Sequence, residues 1–219
     1  MEMFFVIGGI VVFVGGIIMI ANHFEKKRRE AVTNFAMNAG YMVDPDITSF
    51  TSQVSGFKLF TQGHSRKAKN LFRGKNGDDE FAVCDYQYTT GSGKNSQTHL
   101  QTVCVIRSSR LQLPHFFARR QIALFDFLGK VFGGQDINFD HDPAFSKAFV
   151  LQTAGVEEEC RQLFDDNVRQ HFTQLGPKGI QVESKGEMVV FHCGRQMKIE
   201  KMQELIDDAL SVRRLFGKR

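Results

Sequence analysis

The chain has 219 residues with 28 Lys/Arg, 24 Asp/Glu, 22 Phe, four Cys and no Trp, and a formal net charge of +4. Four cysteines without a CxxC pair and seven histidines without an HxH or HExxH arrangement exclude a zinc ribbon, a thioredoxin-type centre and a zincin site. The length beyond the first apolar run suits one domain or two small ones, with a Phe-rich core.

That run is Met3–Asn22, MFFVIGGIVVFVGGIIMIAN, which holds no charge and is followed closely by Lys26, Lys27, Arg28 and Arg29. About 20 apolar residues are what a helix needs to cross a bilayer, and a helix satisfies its own backbone there. The expectation is a single-pass membrane protein with residues 1–22 as a transmembrane anchor in the lipid bilayer. The positive flank places the N-terminus outside and the remainder in the cytoplasm, with Lys26, Lys27, Arg28 and Arg29 against anionic headgroups. Gly8, Gly9, Gly15 and Gly16 put small residues on one helix face, where a second helix could approach for self-association. Only Met1 and Glu2 precede the run, which argues against a cleaved signal.

Residues 23–56 read as a juxtamembrane helical stalk. Phe24, Ala31, Val32, Phe35 and Ala39 fall near helical spacing up to Gly40, and Asp46 caps a short helix through Val54. Residues 57–219 read as a soluble cytoplasmic α+β domain of mostly antiparallel strands with flanking helices and a C-terminal helix. Its strands begin with Lys69–Arg73. Glu80–Thr89 and Ser96–Arg107 then form the clearest hairpin, about a turn near Gly93 and Lys94. A symmetric hairpin sets Cys84 opposite Cys104 and Tyr86 opposite Thr102. Ala82, Cys84, Tyr86, Leu100, Cys104 and Ile106 then share one face. The other carries Phe81, Val83, Val103 and Val105, with Asp85, Gln87, His99 and Gln101 toward the turn. Both faces are partly apolar, so each needs a cover.

Leu111–Arg119 is a further strand, placed at an edge by Pro114. Ile122–Phe132 reads as a short helix stopped by Gly133 and Gly134. Asp142-Pro143 resembles an N-cap with a first-turn proline, ahead of a strand over Lys147–Thr153. Val156, Cys160, Leu163, Phe164, Val168, Phe172 and Leu175 trace one amphipathic helix, with Glu157, Glu158 and Glu159 favourable in its first turn. Ile180–Ser184 and Met188–Cys193 make a second hairpin, and the last helix runs over Lys198–Phe216.

Chemical motifs are sparse. Gly91-Ser92-Gly93-Lys94 lacks the first glycine, the Ser/Thr and the following helix of a phosphate loop, so a flexible turn explains its glycines. Asp136, Asp140, His141 and Asp142 match no metal-loop spacing and suit capping. Asp85 and His99 fall on the face opposite Cys84 and Cys104, which argues against a nucleophile and base pair. No cofactor is expected, and no nucleic-acid-binding signature is present.

Several segments belong together: Phe72-x-Gly74, the stretch Asp85-Tyr86-x-Tyr88-Thr89-Thr90-Gly91-Ser92-Gly93-Lys94-Asn95 with Gln97-Thr98-His99 and Gln101-Thr102-Val103, and Phe139-Asp140-x-Asp142-Pro143-x-Phe145-Ser146. With the N-terminal run they resemble a family of bacterial membrane-anchored proteins of unknown function. The resemblance covers roughly residues 3–170 and implies an inner-membrane protein with a cytoplasmic domain. It carries no activity and no catalytic residues.

Residues 47–125 hold eleven Lys/Arg against four Asp/Glu, whereas residues 126–219 hold thirteen against fifteen. A basic surface favours anionic partners. The reading is a non-catalytic binding or scaffold domain at the membrane face. Its candidate contacts are Lys58, Arg66, Lys67, Lys69, Arg73, Lys75 and Lys94, for anionic lipid headgroups or an acidic protein. The alternative is a membrane-anchored hydrolase acting on envelope components, which would need Asp85, His99 or the 136–142 loop to converge.

Overall fold

The computed structural model describes residues 2–121, 136–153 and 155–217, with the side chains of 2–14, 17 and 18 outside that description. The chain runs α1 (Glu2–Asn38), β1 (Met42–Val43), α2 (Ile47–Val54), α3 (Lys58–Thr61), β2 (His64–Asn76), β3 (Asp79–Thr90), β4 (Gln97–Arg107) and β5 (Leu113–Arg120). It continues with α4 (Pro143–Ala148), β6 (Phe149–Thr153), α5 (Glu157–Leu163), α6 (Asp166–Leu175), β7 (Gln181–Gly186), β8 (Met188–His192) and α7 (Met202–Phe216). The helix expected over Ile122–Phe132 lies outside the described residues.

Local chemistry accounts for many of the boundaries. Asp46, Asp142 and Asp165 each accept a backbone N–H in the first turn of the helix that follows. Asp165 is the reason the expected helix over 156–175 is two: α5 stops at Leu163, and α6 restarts behind its own cap. Gly77 (φ +61°) closes the β2–β3 turn, a conformation that glycine adopts without cost.

The described strands form one antiparallel sheet in the order β1-β2-β3-β4-β8-β7-β5-β6. Strand β5 is therefore internal, lying between β7 and β6, and not an edge. Pro114 is accommodated because the β5–β7 register shifts between Leu113 and Phe116, where no ladder N–H is required of it. Side chains alternate across the sheet and both faces are covered. Phe81, Val83, Cys104, Ile106, Phe116, Val182 and Phe191 lie in one core, which includes residues of α4 to α7 and the end of α1. Ala82, Cys84, Tyr86, Val103, Val105 and Val190 lie in a second core with α2 and α3. Phe50, Phe72, Phe116, Phe145, Phe164, Phe172 and Phe191 are under 2% exposed, each contributing about 2 kcal/mol by burial.

The β3–β4 register differs by one residue from the expected pairing, which centred on Lys94. Val83, not Cys84, faces Cys104, and Asp85 faces Thr102. Because the side-chain period is two, this slip moves every β4 residue to the other face. Cys84 and Cys104 thus point to opposite cores. All four cysteines are buried free thiols.

The expectation for the N-terminus is corrected. Helix α1 continues without a break through Glu25, Lys26, Lys27, Arg28 and Arg29, and Val32 and Ala36 near its end are buried in the domain. Among the described residues no helix is long and apolar enough to cross a membrane. The transmembrane helix expected within 1–22 and the single-pass inner-membrane localisation with the N-terminus outside rested on such a span and fall with it. In physical terms, the described course of α1 mixes apolar side chains with a charged run and packs its last turns on protein.

Candidate binding surface

The basic residues of β2 are sorted by two backbone irregularities. Ser65 (φ +52°) and Asn70 (φ +55°) adopt left-handed conformations where the β2–β3 register shifts. Such bulges re-aim the side chains beside them. Arg66 turns toward α3 and donates to the Phe60 carbonyl at 3.1 Å. Lys69 bonds Glu25 of α1 at 2.7 Å, Arg73 pairs with Asp44, and Lys75 pairs with Glu80 at 2.8 Å. The Lys69, Arg73 and Lys75 partners hold the Glu25, Asp44 and Glu80 carboxyls below their ordinary range. Lys58 is drawn inward, its ammonium 5.0 Å from the centre of the Phe117 ring.

Arg66, Lys67 and Lys94 remain exposed and make no ion pair among the described residues. They lie at one end of the sheet. His64 Nε2 meets the Gly91 carbonyl at 3.0 Å, which ties the start of β2 to the loop that carries Lys94. Gly91 (φ +74°) holds that loop closed, since a Cβ there would collide with the Asn95 carbonyl. No Asp or Glu occurs in residues 61–76 or 86–101. This end therefore has no acid of its own from β2, β3 or β4 to neutralise it.

Among the four charges after the apolar run, Arg28 is not a surface contact. Its guanidinium forks onto Asp85 with two bonds of 2.9 Å, and Asp85 is 6% exposed. Asn70 Nδ2 donates to the same carboxylate at 2.9 Å and Thr102 Oγ1 at 2.8 Å. Planar bidentate pairing of this kind fixes both distance and orientation. It locks α1 onto β3. Lys26 pairs with Glu30, and Lys27 and Arg29 are exposed.

A second polar cluster lies under α3 and has no counterpart in the sequence reading except Lys58. Glu183 is 3% exposed and accepts from the Lys58 backbone N–H at 2.8 Å, with His115 Nε2 at 2.9 Å. Burial raises the Glu183 carboxyl and pushes the Lys58 amine down to about 8, the latter against the pull of Glu183. Glu183 caps α3 from a remote strand. In Gln181-Val182-Glu183-Ser184 it alternates as a solvent-facing residue would, so only burial on both faces distinguishes it.

The residues a hydrolase would need are not brought together. Asp85 faces α1, whereas His99 stacks on Tyr88 at 4.7 Å on the opposite face, with Thr90 Oγ1 at 2.8 Å. Asp136 holds Gln152. Asp142 caps α4 and pairs with Arg169, which lowers its carboxyl, while Asp140 and His141 are exposed.

No protein-family model matches the chain, and no curated protein is similar to it. A solved structure is similar: the crystal structure of the mycobacterial trehalose monomycolate transport factor A, TtfA, superposes with a TM-score of 0.54 at 11% identity. The match covers 86% of this chain and 92% of that one. It is a likeness of fold.

Proposed function

We propose that this protein is a non-catalytic binding domain that engages an acidic protein surface through the exposed end of β2, β3 and β4. The observation that carries the reading is the end of the sheet whose strands carry no acid, where Arg66, Lys67 and Lys94 make no ion pair among the described residues while Lys69, Arg73 and Lys75 are paired internally. Complementary charge of this kind steers association and selects partners. The structural neighbour is described as a transport factor, a role compatible with partner binding.

The test uses the full chain and poly-glutamate as an acidic polypeptide. Binding weakens as salt rises, and the triple variant Arg66→Glu, Lys67→Glu, Lys94→Glu binds at least about tenfold more weakly. Binding that persists at about 0.5 M NaCl, where exposed charges are screened, or in the triple variant, overturns the proposal.

A further inference from the structure

A cavity of about 200 Å³ opens beside the start of α7. Its base is apolar: Cys193, Met197 and Leu205 are 8%, 9% and 1% exposed. Its two carboxylates are already committed. Lys178 Nζ bonds Glu204 at 2.8 Å and Asp208 at 2.6 Å, and Lys201 Nζ holds the other Glu204 oxygen at 2.7 Å. The remaining charge is Arg195, which is exposed and makes no side-chain hydrogen bond or ion pair among the described residues.

The backbone that presents Arg195 is fixed on both sides. The Thr102 N–H donates to the Arg195 carbonyl at 3.1 Å, and the Met197 N–H donates to Thr102 Oγ1 at 2.9 Å. Thr102 is fully buried. The Gly194 N–H donates to His192 Nδ1 at 3.1 Å. A guanidinium on a rigid loop beside an apolar floor matches a molecule with one anionic and one apolar end. A planar guanidinium fork suits a carboxylate. The volume lies below the roughly 300 to 1,000 Å³ of drug-sized pockets, so the fitting molecule is short.

We propose that this cavity binds a small amphipathic carboxylate, its head on Arg195 and its short chain on Cys193, Met197 and Leu205. The site shares no residue with the basic end of the sheet and stands independently of the function proposed there.

Titration of the isotope-labelled full chain with hexanoate, followed by amide chemical shifts, tests it. Shifts are expected within residues 193–208 and at Lys178, with a dissociation constant on the order of 1 mM for so few atoms. Arg195→Gln, at an exposed side chain, keeps the backbone bonds and the thermal midpoint and weakens hexanoate about tenfold. Inorganic phosphate, anionic without a chain, binds more weakly than hexanoate. Hexanoate shifts confined to residues that do not line this cavity, equal binding by Arg195→Gln, or phosphate binding as well as hexanoate each overturns the assignment.

Discussion

At the scale of single residues, His192 shows how burial turns one side chain into a pH liability. It is 5% exposed, and its Nδ1 accepts the Gly194 N–H, so the ring must be neutral at that nitrogen. Burial pushes its pKa down from 6.5 to about 4. A depressed folded-state value favours the neutral form. The contribution to stability is therefore present above pH 6.5 and is lost as the pH falls toward 4. Urea unfolding at pH 7 and pH 4.5 measures it. The wild type loses about 2 kcal/mol more than His192→Asn, whose amide oxygen can accept the same N–H without titrating. Equal losses would show that the ring is not held neutral. Neither His192 nor Glu183 could be singled out from the sequence. Each sits in a strand buried on both faces, where alternation no longer separates inside from outside.

At the scale of elements, turn and cap chemistry is local and was readable. The Asp46 and Asp142 caps, the strands flanking Gly91-Ser92-Gly93-Lys94, and the Met188–Cys193 strand all lie within a residue or two of their expected bounds. Register was not readable. The expected pairing centres on Lys94, whereas the loop between Thr90 and Gln97, with a 3-10 turn over Gly93–Asn95, centres midway between Gly93 and Lys94, which moves every partner by one residue. The consequence is chemical: Cys84 and Cys104 cannot meet, and burial raises both thiols. An aromatic disulfide reagent is expected to modify none of the four cysteines in the native chain within the time that modifies all four in denaturant. Rapid native labelling of Cys84, or a Cys84–Cys104 crosslink on mild oxidation, would refute the observed register.

At the scale of the molecule, the Arg28–Asp85 pair decides how α1 sits. Glu25–Lys69, Arg28–Asp85 and the buried Val32 and Ala36 bind the second half of this helix to the sheet, while Met19, Ile20 and Phe24 stand exposed beyond it. Arg28→Ala leaves Asp85 buried without its cation, which costs about 3 kcal/mol. The variant is expected to unfold at lower urea. Trypsin should cut it selectively after Lys26, Lys27 and Arg29, well before the sheet is digested. An unchanged cleavage pattern would mean that α1 is held by its apolar contacts alone.

Caps such as Asp46 and Asp142, the places where hairpins turn and the residues apolar enough for a core are legible in the sequence, because those depend on neighbours within a few positions. The sequence also marked the basic half of the chain. Only the tertiary structure decided the strand order, the one-residue register, the internal place of β5, and which cations are neutralised. Those outcomes join residues far apart in the chain, as with Arg28 and Asp85 or Lys58 and Glu183. Charge composition counts Lys69, Arg73 and Lys75 alike with Lys94, but only folding brings Glu25, Asp44 and Glu80 against the first three. The same holds for the cavity at α7, whose floor and guanidinium meet because Thr102, on a different hairpin, fixes the loop between them.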